Sequence, residues 1–189
     1  MANSKKKGNR FERAVAKFFT DWSGFNFGRT PQSGAYHNNR DLGSDIICND
    51  DNHKTKCCIS IECKSYNDIR FEHVLLGNKR CKILGFWEQA ARDARRTKKF
   101  PILCMRYNSM PKGEFFFVVS ELVASSLFKV QELTNKPINR YMTIGAPELI
   151  KLKIPTLTLY VFMASDIKKS ISYRRLHRYL RKSIKEYYK

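Results

Sequence analysis

The sequence predicts an α/β fold in which helices lie on the faces of a β-sheet, followed by a basic C-terminal extension. Two observations predict it: amphipathic helical periodicity alternates with short apolar runs typical of strands, and positive charge accumulates toward the C-terminus. A chain of 189 residues, 42% of them hydrophobic, is long enough for one well-packed domain. We expect a core over residues 1–119 and an extension over residues 120–189 that packs on it.

The first predicted element is an amphipathic helix over residues 9–22. Its apolar residues recur at helical spacing and form one stripe, made of Phe11, Val15, Phe18, Phe19 and Trp22. Gly24 ends the helix, because glycine is common just past a helix C-terminus. A strand over residues 25–28 follows, and then a polar loop from Thr30 to Ser44.

Two short strands come next, Asp45–Cys48 and Ile59–Lys64, with a turn at residues 49–52 between them. Successive side chains of a strand point to opposite faces of a sheet. In the second strand the isoleucines and the cysteine therefore share one face, while Glu62 and Lys64 project from the other. A carboxylate and an amine thus stand two residues apart in a mostly apolar strand.

A second helix is predicted over residues 80–98, and strands over 101–105 and 115–119 are joined through a turn at 110–113. The apolar side of this helix carries Ile83, Trp87, Ala90, Ala91 and Ala94. Its other side carries Arg92, Arg95, Arg96, Lys98 and Lys99. The helix would therefore pack on the sheet and present positive charge to solvent.

Beyond residue 120 the pattern predicts a short helix over 120–128, a strand over 156–163 and a final helix that begins near Ser165 or Asp166. From residue 168 onward this last segment carries nine Lys and Arg residues and one acid. An apolar stripe along it consists of Tyr173, Leu176, Leu180, Ile184 and Tyr187. Because a solubilising tail would not need such a stripe, we expect the helix to dock on the core.

The formal net charge is +19, because 36 Lys and Arg residues outnumber 17 Asp and Glu residues. A domain this basic repels itself, and a polyanionic partner is the usual explanation. Membrane phosphoinositides and a solvated cationic face are alternatives, but the clustering of the charges favours nucleic acid. The predicted contacts in these clusters are Lys5–Lys7, Arg92, Arg95, Arg96, Arg174, Arg175 and Arg178.

Other classes of protein fit the sequence less well. No apolar run reaches the roughly eighteen residues of a membrane span, and the N-terminus lacks the apolar stretch of a signal peptide. We therefore expect a cytoplasmic protein (in the host cytoplasm if a phage encodes it) without a membrane partner. His53, Cys57, Cys58 and Cys63 could be combined into a zinc site, but their spacing is loose, so reduced core cysteines are favoured.

Asp45, Glu62 and Lys64 are the groups that phosphodiester cleavage requires. Mg²⁺ held by one or two carboxylates neutralises the phosphate and activates a water, and a lysine can steady the attacking hydroxide. Asp45 opens one strand, and the other two residues extend from one side of its neighbour. Taken separately, Asp45 could be a turn residue, and Glu62 with Lys64 an exposed pair on an edge strand.

The order of these residues resembles the PD-(D/E)XK nuclease superfamily. Asp45, followed seventeen residues later by Glu62-Cys63-Lys64, matches its core pattern. More narrowly, residues 8–107 resemble archaeal-type Holliday-junction resolvases. Further elements of the resolvase pattern are the Glu12-Arg13 pair, the aromatic strand that ends at Arg29, and the Ser33-Gly34 loop.

The resemblance implies a restriction-endonuclease-like mixed sheet and a DNA-cutting site. Asp45 and Glu62 would bind the catalytic metal, Mg²⁺ or in its place Mn²⁺, with help from Glu12. Lys64 would orient the nucleophilic water, supported by Gln89 on the following helix. The DNA contacts predicted around these elements are Arg13, Arg29, Ser33 and Arg40.

The chain departs from the family pattern at three points. Asp41, in the loop before Asp45, is a rival metal ligand. Ser44 rather than proline precedes Asp45, and the last eighty or so residues have no counterpart in a minimal resolvase. These departures leave the choice of substrate open.

Three functional hypotheses remain. The first is a Mg²⁺-dependent, structure-specific endonuclease that acts as a homodimer on Holliday junctions or other branched DNA, in recombination or repair. The second is a sequence-selective nuclease resembling a restriction enzyme. The third is a non-catalytic nucleic-acid-binding protein that has kept the charge and lost the chemistry.

Overall fold

The computed structural model describes residues 4–30, 44–53, 56–75, 81–149 and 154–188. Its elements in chain order are α1 (Ser4–Ser23), β1 (Phe27–Arg29), β2 (Ile46–Cys48), β3 (Ile59–Tyr66), α2 (Glu72–Leu75), α3 (Lys82–Arg96), β4 (Phe100–Tyr107), β5 (Phe116–Ser120), α4 (Glu121–Glu132), β6 (Tyr141–Leu149), β7 (Ile154–Met163), α5 (Ala164–Ser170) and α6 (Tyr173–Tyr187). Among the described helices there is no candidate for a membrane span.

The described strands form one seven-stranded sheet in the order β1-β2-β3-β4-β5-β7-β6. β3 and β4 run parallel, with α3 in the connection between them, and the other neighbouring strands pair antiparallel. This arrangement confirms the predicted α/β fold with a mixed sheet flanked by helices. It also places β3 in the interior of the sheet, between β2 and β4.

Two apolar clusters cover the two faces of the sheet. The larger cluster joins α1, α4 and α6 to the face that carries Ile61 of β3. The smaller cluster joins Ile83 and Trp87 of α3 to the face that carries Leu103 of β4. Because Glu62 pairs in register with Leu103, Glu62 shares the face that α3 covers.

The predicted start of α1 at residue 9 is wrong, because the helix begins at Ser4. Its first turns are mostly lysine and other polar residues, several of which favour helix but show no apolar periodicity. The predicted stripe packs on the sheet through buried Phe11, Val15 and Phe19 and partly buried Phe18 and Trp22. Gly24 follows the helix with a φ of 77°, a conformation that glycine adopts without strain.

The prediction of a single C-terminal helix is also wrong, because α5 and α6 are separated at Ile171 and Ser172. Ile171 is buried with extended backbone, at φ −114° and ψ 127°. Its carbonyl accepts a hydrogen bond of 2.7 Å from the Trp22 indole nitrogen. No proline or glycine stands at the break, so the local sequence has no signal that would locate it.

The sequence pattern does not predict β6, which pairs antiparallel with β7. Gly145 and Pro147 within it argue against a strand in the interior of a sheet. β6 lies at the edge of the sheet, where proline is tolerated because one side of the strand needs no partner. The position of β6 at the edge of the sheet therefore explains why a segment that contains glycine and proline forms a strand.

The C-terminal segment extends the same sheet. β7 pairs with β5 along Phe116–Ser120, and β6 lies beyond β7. α6 packs against the rest of the described chain through its buried Tyr173, Leu176 and Leu180. The expected boundary at residue 119 falls at the end of β5, and a separate role for the segment beyond it stays a prediction.

All six cysteines lie in the described part of the chain, where each is buried and free. The preferred interpretation, reduced cysteines in the core, predicts this burial. His53, a member of the alternative zinc set, stacks on Phe25 with ring centroids 3.9 Å apart. Its Nε2 lies 3.0 Å from the Tyr173 hydroxyl, so aromatic packing and a hydrogen bond account for its burial.

Candidate active site

Asp45 lies just before β2, where backbone contacts hold it between two strands. The Thr30 amide donates to the Asp45 carbonyl at 2.9 Å, and the Asp45 amide donates to the Ile61 carbonyl at 3.0 Å. The Asp45 carboxylate accepts a hydrogen bond of 2.8 Å from the Cys63 amide through Oδ2. The carboxylate is therefore fixed against β3, at the residue that separates Glu62 from Lys64.

Glu62 is buried, with 4% of its surface exposed, and its Oε1 accepts hydrogen bonds from two side chains. Lys64 Nζ lies 2.7 Å from Oε1, and Gln89 Nε2 lies 2.8 Å from the same atom. Strand alternation places Lys64 beside Glu62, whereas the crossover helix brings Gln89 from 27 residues away in sequence. The structure thus assembles Asp45, Glu62, Lys64 and Gln89 into one cluster, which we call the carboxylate cluster.

The apolar side of α3 determines where Gln89 lies. Ile83, Trp87 and Ala90 are buried in the cluster that also contains Leu103 of β4. Packing through these residues turns the adjacent Gln89 toward the sheet. It also places the Phe86 ring 5.8 Å from Lys64 Nζ, so the ammonium group lies near an aromatic ring as well as a carboxylate.

The two acids of the cluster hold their protons more tightly than ordinary carboxyl groups. Burial raises the pKa of Asp45 to about 6, with the charge of Glu12 acting in the same direction. Burial also raises the pKa of Glu62 to about 7, and the nearby Asp45 charge adds to the effect. For Lys64, burial disfavours the charged form, but the charge and hydrogen bond of Glu62 outweigh it and raise the pKa. The ammonium group therefore stays protonated at neutral pH.

Glu12 and Arg29, predicted to contact metal and DNA, contact each other. Arg29 Nε lies 2.5 Å from Glu12 Oε2, and a terminal guanidinium nitrogen donates to Asn9 Oδ1 at 2.9 Å. The Arg29 and Glu12 side chains are 24% and 12% exposed, and their pairing ties α1 to β1. Metal binding by Glu12 and phosphate contact by Arg29 stay predictions.

The chemistry of the donors fits a hard divalent cation. Within the described ranges, no three His, Cys, Asp or Glu side chains form a group that could hold a metal ion. Asp45 and Glu62 nevertheless supply carboxylate oxygens, and Mg²⁺ commonly binds through one or two carboxylates together with waters and substrate phosphates. A cation between them would also offset the cost of two buried negative charges.

The other predicted DNA contacts lie at several places. Ser33 and Arg40 fall outside the described residues, as does the rival ligand Asp41. Arg13 is exposed on α1, and Arg92, Arg95 and Arg96 are exposed on α3. Their contact with DNA stays a prediction.

The arginines of α6 lie at the end of the sheet opposite Lys64. His177 Nε2 lies 2.9 Å from the Lys56 carbonyl, just before β3, and the Tyr188 hydroxyl donates to the Lys99 carbonyl, just before β4. Because β3 and β4 are parallel, these contacts put α6 at the starts of both strands. The structure therefore does not bring together the carboxylate cluster and the arginines Arg174, Arg175 and Arg178.

One acid near the cluster is missing from the sequence predictions. After burial, the charge of Asp93 is among the causes that raise the pKa of both Asp45 and Glu62. The Asp93 side chain is 14% exposed and pairs with Arg96 at 2.5 Å. Residues four apart share one face of a helix, so its spacing from Gln89 is a signal that could have identified it.

Comparison with known proteins matches most of the chain to one family. The model of a family described as "Phage putative PDDEXK endonuclease" matches residues 3–150. The matched segment includes all four members of the carboxylate cluster. No curated protein and no solved structure gives a significant match.

Proposed function

The chain belongs to the phage PDDEXK endonuclease family, and we propose that it is a metal-dependent endonuclease that hydrolyses DNA phosphodiester bonds. The observation that carries the proposal is the carboxylate cluster. Two acids, a lysine and a glutamine come from the start of β2, from β3 and from α3, and three hydrogen bonds fix them. A solvated surface pair would not need this burial or this convergence.

Asp45 and Glu62 would hold Mg²⁺, which polarises the phosphate and lowers the pKa of a bound water. The two described hydrogen bonds to Glu62 end on Oε1, and the Cys63 amide donates to Oδ2 of Asp45. Each carboxylate would therefore keep its other oxygen available to a cation. In this proposal the surrounding donors orient both acids before the substrate arrives.

Lys64 acts as a donor rather than a base, because its raised pKa keeps it protonated at neutral pH. Its ammonium group would orient the attacking water and stabilise the negative charge that develops on the phosphate. Gln89 is a positioning residue, since it acts on the reaction through its hydrogen bond to Glu62. The chain thus provides a fixed electrostatic frame for the reaction.

We propose branched DNA, including the Holliday junction, as the preferred substrate and a homodimer as the active form. Support comes from Glu12 and Arg29, elements of the resolvase pattern, which pair with each other at the α1–β1 boundary. The Glu12 charge acts on Asp45, so the pair borders the carboxylate cluster. A two-fold dimer would place two such sites symmetrically about a junction. We propose the cytoplasm, where DNA and Mg²⁺ occur together, as the place of action.

The test is a cleavage assay with Mg²⁺ on a four-way junction, a flap, a linear duplex and single-stranded DNA. We expect the junction or flap to be cut fastest, and the Asp45→Asn protein to cut none of the four. A linear duplex cut at one preferred sequence would instead support a sequence-selective nuclease. No cleavage of any substrate by the parent protein would contradict the proposed function.

A further inference from the structure

A second basic site, distinct from the carboxylate cluster, lies between α1, the β4–β5 turn and α5. This groove has a volume of about 750 Å³. Its charged lining residues are Lys7, Arg10, Lys17, Arg106, Lys112, Lys168 and Asp21. The lining carries six cationic side chains and one carboxylate, which is a strong excess of positive charge.

Four of the six cations have no carboxylate partner among the described residues. Lys17 and Lys168 both pair with Asp21, at 3.2 and 3.3 Å. The other four are Lys7, Arg10, Arg106 and Lys112. Lys7 and Arg106 donate instead to uncharged oxygens. Four positive charges therefore remain uncompensated in one concave site, as a site for a polyanion requires.

The floor of the groove is apolar and partly aromatic. Phe11 and Met110 are buried, and Phe18 is partly buried beneath Lys168, whose Nζ lies 5.8 Å from the ring centroid. A duplex presents a convex surface of phosphates, and its base faces are stacked on one another, so they would not contact such a floor. Sites for single-stranded nucleic acid combine a positive groove with aromatic side chains, because unpaired bases expose their ring faces.

The groove opens beside the catalytic strand. Its lining includes Ser65, which directly follows Lys64 on β3, and Arg106 at the corresponding position of β4. Ser65 and Lys64 point to opposite faces of the sheet, so the groove and the carboxylate cluster lie on either side of one strand end. A DNA strand that leaves the cluster over the end of β3 would enter the groove.

We infer that this groove binds a single-stranded segment of the DNA substrate next to the scissile phosphate. The inference rests on the proposed function for its claim that the ligand is DNA. Lys7, Arg10, Arg106 and Lys112 contact the phosphates, and the partly buried Phe18 of the floor contacts the bases. The enzyme thereby favours branched or gapped DNA, in which an unpaired strand adjoins a duplex.

The binding test uses the full chain in EDTA, so that cleavage is not a readout. The affinity of a fluorescent single-stranded oligonucleotide is measured for the parent, for Arg10→Gln/Lys112→Gln and for the control Lys129→Gln/Lys136→Gln. Both variants remove two cations, and the control pair lies outside the groove. We expect the groove variant to bind about tenfold more weakly and its salt slope to fall by about 1.4, while the control stays within about twofold.

The inference would be overturned if the groove variant and the control lost the same affinity for the single-stranded oligonucleotide. It would also be overturned if the groove variant lost as much affinity for a blunt duplex as for the single strand. A second measurement needs no variant: an oligonucleotide carrying 4-thiothymidine is photocrosslinked to the parent protein, and the attached peptides are mapped. Attachment within α1 or residues 106–113 supports the groove, and attachment confined to α6 contradicts it. If the parent protein cleaves no DNA with Mg²⁺, the proposed function is refuted, but the results of the binding and photocrosslinking measurements still stand.

Discussion

Asp45 and Glu62 titrate above the ordinary range of carboxyl groups, with pKa values of about 6 and about 7, because burial disfavours their charged forms. A folded-state pKa above the unfolded value means that the native protein binds protons more tightly than the unfolded chain. The acids therefore lower the free energy of unfolding as the pH rises from about 4 to about 7, and the full cost is present above that range. A divalent cation bound between the two charged carboxylates would therefore raise the free energy of unfolding.

The substitution Asp45→Asn should therefore stabilise the protein without metal. Asparagine keeps an oxygen that can accept the Cys63 hydrogen bond but removes the buried charge. In EDTA at pH 8 we expect the free energy of unfolding to rise by about 2 kcal/mol in urea titrations. At pH 4 the gain should disappear, because the native aspartate is then already protonated. A lower free energy of unfolding for Asp45→Asn than for the parent at pH 8 would show that the buried Asp45 carboxylate does not destabilise the native protein.

Gln89→Ala should slow catalysis without weakening substrate binding. Removing the donor at 2.8 Å frees the Glu62 carboxylate to rotate away from its productive orientation. We expect kcat to fall about tenfold with KM unchanged, since orientation of a site group affects the transition state more than binding. The neighbouring substitution Glu88→Ala is the control and should leave kcat unaltered. A rise in KM alone would assign Gln89 to DNA binding instead.

At the scale of secondary-structure elements, α1 and β1 are joined by Glu12 and Arg29. Both side chains are largely shielded from water, so loss of either partner leaves a charge without compensation. A double-mutant cycle with Glu12→Gln and Arg29→Gln tests this link. We expect each single variant to lose stability and the coupling energy to reach about 1–2 kcal/mol. Additive losses in chemical denaturation would contradict a direct pairing of the two residues.

Periodicity makes some of these elements predictable from the sequence. The apolar stripe of α1, the alternation in β3 and the amphipathic pattern of α3 are each sufficient to place a helix or a strand. Alternation along β3 also suffices to put Glu62 and Lys64 on one face of the sheet. The pairing of Glu12 with Arg29 and the approach of Gln89 to Glu62 are not accessible in this way, because both depend on packing between distant segments. β6 and the break after α5 lack a local signal for the same reason.

At the scale of the whole molecule, two basic regions of the described residues are divided between the two ends of the sheet. The groove lies at the ends of β3 and β4, and the arginines of α6 lie at their starts. The net charge of +19 indicates a polyanionic partner but cannot indicate this division. A DNA substrate that contacted both ends would have to span the length of the central strands.

The triple variant Arg174→Gln/Arg175→Gln/Arg178→Gln tests the predicted role of α6. If all three contact phosphates, the slope of log affinity against log salt for a branched duplex should fall by about 2.7. The cleavage rate at saturating protein should not change, because α6 is remote from the carboxylate cluster. Fluorescence anisotropy over a salt series gives the slope. An unchanged slope would mean that the α6 arginines are a solvated face.

The most direct test of the central claim is single-turnover cleavage of a labelled junction by Lys64→Ala. Affinity measured in EDTA should match that of the parent within about twofold, because the lysine is 20% exposed and already paired with Glu62. With Mg²⁺ the cleavage rate should fall at least about a hundredfold, while the surface substitution Lys129→Ala leaves it unchanged. Cleavage by Lys64→Ala at the parent rate would contradict the assignment of Lys64 and the carboxylate cluster as the catalytic centre.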